Sequence, residues 1–79
     1  DESTAFLESE YMLTTREIEV LRLLNMGLSR NEIAETLSIS INTAKKHLSN
    51  IYAKMGVRNK TEALEGFTHG ANQDNETAG

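Results

Sequence analysis

Seventy-nine residues with no cysteine and a net charge of −4 at pH 7 make one domain at most. The lack of cysteine excludes disulfides, thiolate metal sites and redox motifs, and His47 and His69, 22 positions apart, fit no metal-ligand spacing. No apolar run nears the roughly 20 residues of a membrane span, and no signal peptide is visible.

The acidity is not evenly spread. Asp1, Glu2, Glu8, Glu10, Asp74 and Glu76 sit at the ends, whereas all eight Lys and Arg fall between Arg16 and Lys60. Residues 13–68 hold those eight bases and six acids, a net of +2. Within residues 40–60 there are five bases, Lys45, Lys46, Lys54, Arg58 and Lys60, and no acid. A partner meets one face of a protein and not its average charge, so this stretch points to an anionic polymer.

Taken in order, residues 1–12 read as a linker or N-terminal extension, with Phe6, Leu7, Tyr11 and Met12 able to pack on the edge of a following domain. Because the chain starts at Asp1, it reads as a piece of a longer protein. Thr14-Thr15-Arg16-Glu17 has the T-x-x-E pattern of a capping box, and Ile18, Leu21 and Leu24 follow at helical spacing until Gly27 offers a stop. Ser29-Arg30-Asn31-Glu32 repeats that pattern and opens a short helix through Ile33, Ala34 and Leu37. Ser38-Ile39-Ser40 is a tight connection, after which Ser40 or Asn42 can cap a third helix. There Ala44, Leu48, Ile51 and Met55 form one buried stripe, and Gly56 ends it. Asn59 can cap a fourth helix carrying Ala63, Leu64 and Phe67. The last ten residues, 70–79, are small and polar and read as a disordered tail.

Turning the third helix's stripe inward fixes what points out. Lys45, Ser49 and Tyr52 share one line, and Lys46, Asn50 and Ala53 the next. The exposed face near the helix start is then Asn42, Lys45, Lys46, Ser49 and Asn50. Lys can donate to guanine O6 and N7, and Asn can pair with adenine. The helix N-terminus offers free amides to a phosphate, with Ser40, Asn42 and Thr43 as added donors. His47 can reach the DNA backbone, and Lys54, Arg58 and Lys60 can clamp phosphates further along. Tyr52 and Met55 read as packing residues. Ser29 and Ser40 have no neighbouring base, and no triad, paired carboxylates or Gly-rich phosphate loop is present, so no enzyme activity and no cofactor are expected.

These residues resemble a known family. Leu13-Thr14, Arg16-Glu17, Glu19-Val20-Leu21, Gly27, Ser29, Glu32-Ile33-Ala34, Leu37, Ile39-Ser40, Thr43, Lys45, His47, Ile51, Lys54, Val57, Arg58 and Ala63 match the LuxR-type (GerE-like) helix-turn-helix domain of bacterial transcription regulators. The resemblance covers residues 13–68 and implies an all-α, four-helix helix-turn-helix domain over residues 13–69. In it, Asn31–Leu37 would be the support helix and Ile41–Met55 the recognition helix. It implies Lys45, Lys46 and Ser49 in the major groove of double-stranded DNA, and Thr43 and His47 on the backbone, with Ser29 and Arg30 counted among the backbone contacts. It also implies a cytoplasmic setting for the DNA-binding part, compatible with a full-length protein anchored in a membrane upstream, and a homodimer through the fourth helix, with Leu64 and Phe67 as contact candidates, unless both close the core instead. RNA polymerase is a further candidate partner; no small-molecule ligand is expected. Ala44 stands where the family usually has Val, Lys60 where Arg is common and Arg30 where Asn is frequent. Two alternatives compete with this reading: a promoter-reading region of a sigma factor, and a protein-interaction module that offers its basic helix to an acidic partner.

Overall fold

The structure, a computed structural model, describes the backbone of residues 2–71 and the side chains of residues 5–68. Among these the regular structure is all helical: α1 (Glu2–Tyr11), α2 (Thr15–Asn25), α3 (Arg30–Leu37), α4 (Ile41–Met55) and α5 (Lys60–Ala71). The four helices expected from caps and glycines are α2 to α5. A further helix, α1, occupies what the sequence suggested was a linker or N-terminal extension. Few apolar side chains mark it, and tertiary contact holds it. Leu7 is fully buried, Phe6 and Tyr11 meet edge to face with ring centroids 6.1 Å apart, and the helix packs on α5 and α2. Of the stretch expected to be a disordered tail, residues 72–79 lie outside the described residues, while Gly70 and Ala71 belong to α5.

The helix starts follow the caps. Thr14 accepts from the Glu17 amide at 3.1 Å while Glu17 accepts from the Thr14 amide at 2.9 Å, and Ser29 and Glu32 repeat the exchange at 3.2 and 2.8 Å. Ser40, not Asn42, caps α4, accepting from the Thr43 amide at 3.0 Å; Asn59 caps α5, accepting from the Glu62 amide at 2.9 Å.

Three helix ends share one device. Gly27, Ser38 and Gly56 take positive φ, and the apolar residue after each turns back on its helix. The amides of Leu28, Ile39 and Val57 donate to the carbonyls of Leu23, Ala34 and Tyr52, at 3.2, 2.9 and 3.0 Å. This satisfies otherwise orphaned carbonyls and sends a side chain onto the core. Ser38 (φ 58, ψ 42) does without glycine what Gly27 and Gly56 do with it.

Helix α4 packs against α2, α3 and α5, so the core lies along its Ala44–Leu48–Ile51–Met55 stripe. Ile18, Val20, Leu21 and Leu24 come from α2, Ile33 and Ala34 from α3, Ala63 from α5 and Leu7 from α1. Ile39, the connection's one apolar residue, packs half-buried in the angle between α3 and α4. At the far end, α5 approaches closely at Gly66: a Cβ there would stand 2.7 Å from Met55 Cε and 3.7 Å from Tyr11 Oη.

Candidate nucleic-acid interface

The α3–α4 pair presents one face free of the core. Asn42, Lys45, Lys46, Ser49 and Asn50 are all exposed on the first three turns of α4, and His47 is half-buried between that face and the stripe. At the helix start, the Ser40 hydroxyl donates to Thr43 Oγ1 at 2.9 Å while accepting from the Thr43 amide, so its proton is used internally. Thr43 is half-buried beside it. Ser29 and Arg30 begin α3 in the open, with the Ser29 oxygen engaged by the Glu32 amide.

The Lys45–Ser49–Tyr52 line does not face bulk water alone. Together with Ser29 and Arg30 from the start of α3 and Lys60 from the start of α5, it walls a groove of ≈ 510 Å³ floored by Leu24, Leu28 and Leu48. Tyr52 packs half-buried against the core, as the sequence suggests, and its remaining surface also walls this groove. Its place on the Lys45–Ser49 line was the available signal. Burial pushes its phenol above the ordinary value, an effect partly offset by the positive charge of Arg30.

Lys54 requires a correction. It was expected to clamp a phosphate, but its ammonium donates to Glu17 Oε1 at 2.7 Å and to the Met12 carbonyl at 3.2 Å. Glu17 is 4% exposed and cannot be left unpaired, so Lys54 is held by the fold. Burial by itself would raise the Glu17 pKa, but the bonds from Lys54 and Thr14 outweigh it and hold the carboxyl below its ordinary value. Glu17 is the residue that sequence reasoning missed in this role: its T-x-x-E position accounted for it as a cap, and nothing local ties it to a lysine 37 positions away.

The remaining cations are more available. Arg58 meets Glu62 at 3.6 Å, but its side chain is 89% exposed, and such a surface pair restrains it little. Among the described residues, Lys45, Lys46 and Lys60 have no acid within ion-pair distance. Leu64 and Phe67 are half-buried and pack against the core, so both help to close it while keeping part of their surface outward. No group of three metal-ligating side chains occurs among the described residues, and no described helix is long and apolar enough to cross a membrane.

Against known proteins, residues 11–65, 55 of the 79, match the family described as bacterial regulatory proteins, luxR family (GerE). The chain belongs to that family. It is a DNA-binding helix-turn-helix domain of the luxR family. This luxR-family domain is 51% identical over 53 residues to the CsgBAC operon transcriptional regulatory protein of Escherichia coli (strain K12), covering 67% of this chain and 24% of that protein. It is 55% identical over 51 residues to the transcriptional regulatory protein LnrK of Bacillus subtilis (strain 168), covering 65% and 23%. Among solved structures, the response regulator ChrA of a heme-sensing two-component system superposes with a TM-score of 0.67 at 44% identity, covering 80% of this chain and 29% of that one. The luxR-family domain therefore spans about a quarter of the length of these curated relatives.

Proposed function

We propose that this domain reads double-stranded DNA with α4 in the major groove, as the cytoplasmic, C-terminal output domain of a longer transcription regulator. Lys45, Lys46, Ser49 and Asn50 meet base edges. Ser29, Arg30, Ser40, Asn42, Thr43, His47, Arg58 and Lys60 hold the phosphate backbone, Ser40 through its oxygen-ordered first turn and not through its own proton. Lys54 leaves this set. The observation that carries the reading is the row of exposed polar and cationic side chains along the first half of α4, flanked by cations from the starts of α3 and α5. Such a surface binds without chemistry, and no enzyme activity is assigned to it.

Two copies meeting through the outward parts of Leu64 and Phe67 on α5 would set two recognition helices on adjacent half-sites, roughly one helical turn apart. That the relatives are transcriptional regulatory proteins supports transcription control, and RNA polymerase is a further candidate partner. The test is selection of binding sites from a random duplex pool by the purified domain at low and moderate salt. An enriched inverted repeat with half-sites about one turn apart supports the sequence-reading dimer. Retention without enrichment refutes base reading by this domain, and no retention even at low salt favours a protein-interaction role.

A further inference from the structure

The groove between the starts of α3 and α5 and the first turns of α4 has a composition that DNA alone does not explain. A phosphodiester needs cations and hydrogen-bond donors, which Arg30, Lys45 and Lys60 supply from the rim. It gains nothing from Leu28 and the ring of Tyr52, both half-buried, which leave an apolar surface open within the same walls above the buried Leu48. A ligand with a flat apolar body and an anionic head would use both parts. Its body removes that surface from water, and its head accepts charge-assisted bonds from guanidinium and ammonium. The ≈ 510 Å³ of the groove lies within the range of about 300–1,000 Å³ common to small-molecule sites. No acid is among its lining residues, so an anion meets no like charge there.

We propose that this groove is a binding site for an amphipathic anion, an aryl carboxylate or aryl phosphate, whose ring lies on Leu28, Leu48 and Tyr52 and whose head sits among Arg30, Lys45 and Lys60. No small ligand is expected from the sequence, because the walls are drawn from four helices and converge only on folding. Ser29, Arg30, Lys45, Ser49 and Lys60 belong to both surfaces, so an occupied groove excludes DNA. That competition rests on the DNA-reading face proposed above; the binding itself does not.

The test is titration of the isotope-labelled 79-residue chain with 1-naphthyl phosphate, followed by amide NMR shifts, with inorganic phosphate and 1-naphthol as separate probes. The expected result is saturable shifts at Leu28, Leu48 and Ser49, with an affinity at least about tenfold above either probe alone. Leu28→Ser should weaken 1-naphthyl phosphate about fivefold while leaving duplex affinity unchanged. Since Leu28 is half-buried, Lys60→Gln provides a second variant on the exposed rim; it should weaken 1-naphthyl phosphate and not 1-naphthol. Equal shifts from inorganic phosphate would overturn the proposal and leave a simple anion site, and no shift with 1-naphthyl phosphate would overturn it outright. Groove binding that fails to displace a bound duplex would support the site and refute the DNA-reading face.

Discussion

Replacing Lys54 with Met tests whether that lysine serves the fold. Methionine keeps the apolar stem and removes the ammonium that donates to Glu17 Oε1 at 2.7 Å. Breaking a fully buried ion pair by removing one partner costs about 3–5 kcal/mol, whereas an exposed pair is worth about 1 or less. This pair lies between the two limits. The Glu17 side chain is 5% exposed and Lys54 35%, and the carboxylate would keep its bond from the Thr14 amide. A loss of about 2 kcal/mol follows. With a urea dependence of roughly 1 kcal/mol per molar for a domain this small, the unfolding midpoint should fall by about 2 M, read by circular dichroism.

The pH dependence has a definite sign. The folded Glu17 pKa lies below its ordinary 4.5, so its contribution is complete above that value and is lost as pH falls through the folded value. The gap between wild type and Lys54→Met should therefore be flat near neutrality and narrow in acid, because Glu17 in the variant, left with the burial that raises its pKa, takes up its proton before the wild-type carboxyl does. Glu17→Gln in the same chain should recover at least about 1 kcal/mol against the sum of the single changes. A midpoint shift under about 0.5 M, or a gap that persists unchanged in acid, would refute the assignment.

Other substitutions test other parts of the argument. In salt titrations of duplex binding, Lys60→Gln should reduce the slope of log K against log salt by about 0.9, whereas Lys54→Met, if folded, should leave it unchanged. Lys45→Ala should relax base choice at one position, by about 1–3 kcal/mol between right and wrong base; equal losses on specific and scrambled duplexes would contradict its role. Leu7→Ala should cost about 2–3 kcal/mol in thermal unfolding, since Leu7 is fully buried, and an unchanged Tm would detach α1 from the domain. Ser38→Gly should raise the Tm by about 2–4 °C by relieving a left-handed serine, the gain reduced by the freer unfolded backbone, and a fall would contradict that strain.

What was legible in the sequence were features whose partners lie within one turn. Thr14 with Glu17, Ser29 with Glu32 and Ser40 with the Thr43 amide all sit three residues apart, and the α4 stripe repeats every three or four. Gly27 and Gly56 also marked their helix ends. Helix α1 escaped because ESTAFLESEY has too few apolar positions to show a period; it is a helix because α2 and α5 offer Leu7 a place to be buried. Lys54 was misassigned because charge composition counts a cation without showing its direction, and the acid that holds it is on another helix. The groove around Tyr52 was hidden for the same reason: its walls converge from residues 24 to 60.

Gly66 has a consequence for how two copies would measure DNA. It lets the α5 backbone rest on the terminal methyl of Met55, and Met55 is the last residue of α4. In the proposed dimer, the joint between subunits and the helix that reads bases are thus separated by one side chain. Neither loop nor hinge intervenes at that point. The spacing tolerated between half-sites would be set by how far one thioether can yield, and a bulkier residue at position 66 would act as a shim, changing the preferred spacing of the operator while leaving its base sequence alone.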